Sequence, residues 1–196
     1  MTIDFEASCL PRHGRSFPIE IGISDLRGTT RSWLVRPHAS WANWTWTAEA
    51  QALHGLTLDH MRLHGQCADL VMAELVDSTR GCRVVSDSEL DTGWLDTLAR
   101  AASRPVPWRI DHVTTLFDEL NATAGEISAA LAMTDRTSRR RHRAGDDAGW
   151  LAGLISHLRE IAARRLEAED RPIFSWDAVP VDAGEMMRSV PRDGEN

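Results

Sequence analysis

The chain has no lysine and no tyrosine; all 22 of its basic side chains are arginine, set against 29 acids, for a formal charge of −7 over 196 residues. That balance argues against a broad electrostatic grip on long nucleic acid, which calls for a basic surface. Cysteine is scarce too. Cys9, Cys67 and Cys82 have no metal-type spacing and leave an odd count, which excludes a disulfide framework and a structural zinc site. No apolar run is long enough to cross a bilayer and no cationic-apolar leader is visible, so the expected setting is cytoplasmic, without membrane contact. Internal repeats and low-complexity blocks are absent. What remains is an ordinary globular composition, 42% hydrophobic and 26% charged, of a length that suits one compact domain.

Periodicity predicts strands at residues 2–7, 18–25, 31–36, 83–86 and 107–113. Turns are expected at His13-Gly14 and Arg27-Gly28. Helical spacing covers residues 47–53, 68–79, the segment carrying Asp91, and then 114–121, 125–133 and 147–169. Strands first, then strands alternating with helices, predict an α/β fold: a mixed β-sheet of about five strands flanked by helices. Past Asp170 the composition shifts to Pro172, Pro180, Gly184, Pro191 and Gly194. Residues 171–196 therefore read as an extended tail, with Phe174 and Trp176 as its anchors, and residues 1–170 as the domain.

Chemistry enters with Asp4 and Glu6. Residues two apart on a strand point to the same face, so Thr2-Ile3-Asp4-Phe5-Glu6 would hold two carboxylates together while Ile3 and Phe5 pack behind. Like charges at that distance repel unless a cation neutralises them; a solvated edge strand is the plainer reading. Asp91 lies three before Trp94 and four before Leu95, on the apolar stripe of its helix, with Asp87 and Glu89 as near rivals. Asp147 lies four before Leu151 and starts the longest stripe, where a helix N-terminal carboxylate is also favoured by the dipole. His142 stands five residues before Asp147; Asp146 competes but lacks that offset.

In this order and spacing the residues resemble the DEDDh (DnaQ-like) 3′→5′ exonucleases of the ribonuclease H-like superfold. Asp4-Phe5-Glu6-Ala7-Ser8-Cys9-Leu10 is similar to the family's first motif. Glu49 to Thr57, with His54-Gly55-Leu56-Thr57, resembles its His-Gly-Ile-Thr segment. Val85 to Asp91 is similar to the second motif and His142 to Ala148 to the third. Ser86-Asp87 departs from the family's frequent His-Asn, and Cys9 stands where many members have glycine. The resemblance spans residues 2 to 166.

It implies a ribonuclease H-like fold and two divalent cations, magnesium or manganese. Asp4 would bridge them, Glu6 and Asp147 would complete one site, and Asp91 would serve the second. His142 would accept the proton of the attacking water. Ala7, Ser8, Leu10 and His54 would seat the 3′-terminal nucleotide of a single-stranded or short nucleic acid, RNA or DNA, releasing nucleoside 5′-monophosphates. A homodimer is compatible with the family. Loss of an acid or of His142 would have favoured a non-catalytic binding scaffold on the same fold; none is missing. Arg136, Arg139, Arg140, Arg141 and Arg143 crowd His142, either as a solvated loop or as phosphate ligands. Trp33, Trp41, Trp44 and Trp46 fit either a stacking platform for bases or ordinary packing.

Overall fold

The computed structural model describes residues 1–137 and 141–169. The tail expected over 171–196 lies outside the described residues, as do Arg139 and Arg140 of the arginine run. The chain opens with β1 (Thr2–Ala7), β2 (Pro18–Ser24) and β3 (Thr30–Leu34), then α1 (Ala48–His54), α2 (Leu58–His64) and α3 (Ala68–Ser78). After these come β4 (Val84–Ser86), α4 (Leu90–Ala101), β5 (Ile110–His112), α5 (Thr114–Glu119), α6 (Ala124–Thr137) and α7 (Ala144–Glu169). The strands form one sheet in the order β3-β2-β1-β4-β5. β1, β2 and β3 pair antiparallel, whereas β4 runs parallel to β1 and β5 parallel to β4. This is the mixed five-stranded α/β sheet that the periodicity predicts.

The differences are local. The fifth strand keeps only Ile110–His112 of the expected 107–113, because Pro107 has no N–H to give to a ladder. α2 is absent from the sequence reading. Thr57 starts it, its hydroxyl accepting from the His60 amide at 3.1 Å, between Gly55 in the left-handed region (φ 71°) and Gly65. A seven-residue helix is too short to show a clear stripe. α7 begins at Ala144, three residues ahead of the expected 147, because its start is capped from another element.

Strand alternation divides the molecule into two unlike halves. Ile3 and Phe5 of β1, with Ile19, Ile21 and Ile23 of β2, join Val71, Met72 and Leu75 of α3 and Leu95 and Leu98 of α4 in the main core. Each such fully buried aliphatic side chain contributes about 1.5–3 kcal/mol. The opposite face shows Asp4 and Glu6 on β1, and Glu20, Gly22 and Ser24 on β2. α7 crosses this polar face, and its later turns form a second core with α6 and α5 through Leu151, Leu154, Ile155 and Leu158.

α7 crosses close to the strands because its contact residues are small. Gly22 has no side chain where the α7 backbone passes; a Cβ there would lie 2.0 Å from the Ala144 carbonyl oxygen. Gly145 faces Thr30 and Ser32, and the Thr2 hydroxyl donates to the Ala148 carbonyl at 2.7 Å. The tryptophans mostly pack rather than present free faces. Trp41 stacks on Phe17 with centroids 5.2 Å apart, and the indoles of Trp33 and Trp46 donate to Glu74 and Gln51. Trp44 is half-buried beneath the Arg15 guanidinium, 4.3 Å from its ring centroid.

Two glycines separate close approach from mere composition. Gly22→Ala is expected to destabilise the protein by about 3 kcal/mol or more, since backbone on both sides must move. Gly93→Ala, at an exposed α4 position with nothing within 4 Å of the new methyl, should stabilise by about 0.5–1 kcal/mol. Urea unfolding of both variants measures this. Equal effects would mean that α7 does not depend on Gly22.

Candidate metal centre

β1 carries Asp4 and Glu6 on the face that α7 covers, and the first turn of α7 brings Asp147 to them. One carboxylate oxygen from each of the three lies within 4.8 Å of the others. Asp91 stands beside this group without joining it. It is 1% exposed, one oxygen accepting from the Ser86 hydroxyl of β4 and the other buried with no partner. Its rival Asp87 is exposed at the end of β4, and Asp146 is exposed on α7. Asp147 accepts the His142 amide at 3.0 Å through Oδ2. Its Oδ1 is buried without a hydrogen bond, 4.0 Å from the Arg141 Nε.

Crowding without a counter-charge shows in the protonation equilibria. Burial, then the charges of Asp91, Glu6 and Asp147, raise the Asp4 pKa well above the usual carboxylate range. Glu6 is pushed up to about 8 by burial and by Asp147 and Glu20, against a lowering by Arg143. Burial lifts Asp91 to about 7, opposed by the Ser86 hydroxyl. Asp147 is raised as well, by burial, although the His142 amide and Arg141 oppose it. Three converging carboxylates with Asp91 alongside, and orphaned buried oxygens on Asp147 and Asp91, suit a hard divalent cation, which would discharge the repulsion and displace the protons.

His142 is exposed on the turn ahead of α7, with φ at 71° in the left-handed region. Next to it, Arg141 lies over the Trp150 ring, 4.3 Å from the centroid, and the Trp150 indole donates to Asp135 at 2.9 Å.

Beside Glu6 opens a cavity of about 470 Å³, whose walls include Ala7, Leu10, Leu53, His54 and Trp94. The His54 Nδ1 accepts the Leu56 amide at 3.0 Å, which leaves the proton on Nε2, and that nitrogen is buried without a partner. Burial holds this imidazole neutral, its pKa lowered to about 4. Ser8 is placed differently. It is fully buried outside the cavity wall, its hydroxyl accepting the Phe17 amide at 3.1 Å and its carbonyl the Thr47 amide at 3.0 Å. It shapes the loop that carries Leu10.

One buried acid escapes the sequence reading, and Arg143, expected as a solvated or phosphate-binding arginine, turns to it. Glu20 is buried on β2 directly opposite Glu6, and Arg143 grips it with two hydrogen bonds, of 2.8 and 2.6 Å. The one available signal is the glutamate inside the apolar run Pro18 to Ile23.

No protein-family model and no curated protein sequence matches the chain. Solved structures do. A full-length 3′-exonuclease matches at TM-score 0.59 and 18% identity, over 86% of this chain and 60% of its own. The 3′-exonuclease that recognises the 3′ end of histone mRNA stem-loop matches at TM-score 0.62 and 16% identity, over 82% and 80%. The zinc-bound complex of E. coli exonuclease I with single-stranded DNA matches at TM-score 0.61 and 11% identity, over 85% and 41%. The chain shares the fold of these exonucleases, a mixed five-stranded sheet flanked by helices. It spans 60% of the first of these and 41% of the last.

A fold of this kind, with raised carboxyl pKa values, binds protons more tightly than its unfolded chain. Its stability from these groups is full near pH 4 and is lost as pH rises through about 7 for Asp91 and about 8 for Glu6. In excess chelator the melting temperature should therefore fall from pH 5.5 to 8.5. Adding Mn²⁺ should raise it most at the alkaline end, and Asp4→Asn should flatten the metal-free profile. A chelated wild type equally stable at both ends would contradict the electrostatics.

Proposed function

We propose that the protein is a metal-dependent 3′→5′ exonuclease acting on the 3′ end of single-stranded or short nucleic acid. The observation that carries this is the convergence of Asp4, Glu6 and Asp147, with Asp91 alongside, next to a cavity of nucleotide size. The solved neighbours support it, since they include a nuclease bound to single-stranded DNA and one that recognises an RNA 3′ end.

Asp4, Glu6, Asp91 and Asp147 would hold two divalent cations, magnesium or manganese, which when bound polarise the phosphodiester and lower the pKa of the attacking water. The chain's own groups do the rest. Leu10, 37% exposed at the cavity rim, gives an apolar face for the terminal base. The neutral His54 has an N–H with no protein acceptor, able to donate to the terminal sugar or phosphate. Raised carboxyl pKa values make deprotonation of the cluster part of metal uptake. His142, exposed on its turn and tied by its amide to Asp147, takes the proton of the attacking water as general base. The products would be nucleoside 5′-monophosphates.

A 5′-labelled single strand should shorten stepwise from its 3′ end with Mg²⁺ or Mn²⁺, and a 3′-phosphate should block it. Cleavage of a circular single strand, or activity that survives chelation, would overturn the proposal. Asp4→Ala, Asp91→Ala and Asp147→Ala should abolish turnover in folded protein, and His142→Ala should lower it by roughly 10²–10⁴-fold. Asp87→Ala and Asp146→Ala should stay active; an inert Asp87→Ala beside an active Asp91→Ala would move the fourth ligand to Asp87.

A further inference from the structure

Glu20 takes no part in the three-carboxylate group, yet it is the most buried acid on the face that carries it, at 1% exposure. Its two oxygens accept three hydrogen bonds from one short segment of chain 123 residues away. The Arg143 Nε and Nη2 donate at 2.8 and 2.6 Å, and the Ala144 amide, at the first residue of α7, donates at 3.2 Å. A carboxylate that receives a helix's leading amide does the work of an N-cap, here supplied from a strand instead of the preceding residue. Gly22, two residues along β2 on the same face, admits the Ala144 carbonyl. The segment so fixed holds His142 on one side and Asp147 on the other, joined by the 3.0 Å bond from the His142 amide.

We infer that the Glu20–Arg143 pair is a positioning device that sets Asp147 and His142 against Asp4 and Glu6, and that it serves metal binding and turnover rather than stability alone. This rests on the function proposed above. A bidentate guanidinium–carboxylate pair fixes both distance and orientation. Groups that orient metal ligands typically cost 10–100-fold in affinity or activity when lost.

Removing Arg143 alone would strand a buried carboxylate and risk unfolding, so the decisive variant replaces both partners. The double variant Glu20→Met/Arg143→Met should fold, because an apolar pair of similar volume can replace a buried ion pair. Its melting temperature in chelator checks this. Calorimetric titration with Mn²⁺ should show affinity weakened at least 10-fold, and turnover of a single-stranded oligonucleotide should drop about 100-fold in kcat with KM within 3-fold. The milder Glu20→Gln, which keeps an acceptor for the Ala144 amide, should fall between it and wild type. A folded double variant with wild-type Mn²⁺ affinity and kcat overturns the inference, as does a Glu20→Gln more impaired than the double variant. The affinity comparison decides the pair's role even for a wild type that binds Mn²⁺ and cleaves nothing, so failure of the exonuclease reading gives a different result.

Discussion

The close seat of α7 on β2 is the contact from which the other features of the site follow. A helix normally lies on a sheet with a layer of side chains between them. Here Gly22 removes that layer where the α7 backbone arrives, and Gly145 fits against Thr30 and Ser32. Asp147 comes within reach of Asp4 and Glu6 because the backbone that carries it is this near the sheet. With an ordinary side-chain layer between them, the acids would be farther apart and their pKa values nearer to normal.

Such closeness costs stability, and the molecule offsets it in several places. The opposite face of β1 and β2 is wholly apolar and packs against α3 and α4. The far part of α7 buries Leu151, Leu154, Ile155 and Leu158 in a second core. These two cores hold the sheet and helix in place while the polar face between them carries mutual repulsion. Among the described residues, Arg143 reaches into this face and is engaged by Glu20, and Arg141 stands 4.0 Å from Asp147.

Arrangement of the site also separates two tasks. The acids sit on a strand, on α4 and on the first turn of α7, all regular elements of the fold. Leu10 and His142, by contrast, lie on turns at the surface. Ser8 joins the two regions, its backbone and hydroxyl tying the Leu10 turn to Phe17 and to the start of α1.

Much of this was legible in the residues themselves. The period of two in Thr2 to Ala7 places Asp4 and Glu6 on one face, and the stripe from Leu151 onward places Asp147 at a helix start, because both depend only on local geometry. Strand count and the mixed sheet follow from the order of elements. α2 stayed hidden because seven residues between two glycines are too few for a periodic signal, and the motif around Ser8 does not show that its hydroxyl turns inward to the Phe17 amide. Spacing to Trp94 and Leu95 favours Asp91 over Asp87 in the sequence, but that Asp91 is buried and Asp87 exposed depends on how α4 lies against β4. The partnership of Glu20 with Arg143 lay beyond any local pattern: the two are 123 residues apart and meet only when α7 folds back across β2. By itself the sequence determined which side chains share a face; the tertiary structure alone decided which faces meet, since that depends on close packing between distant segments.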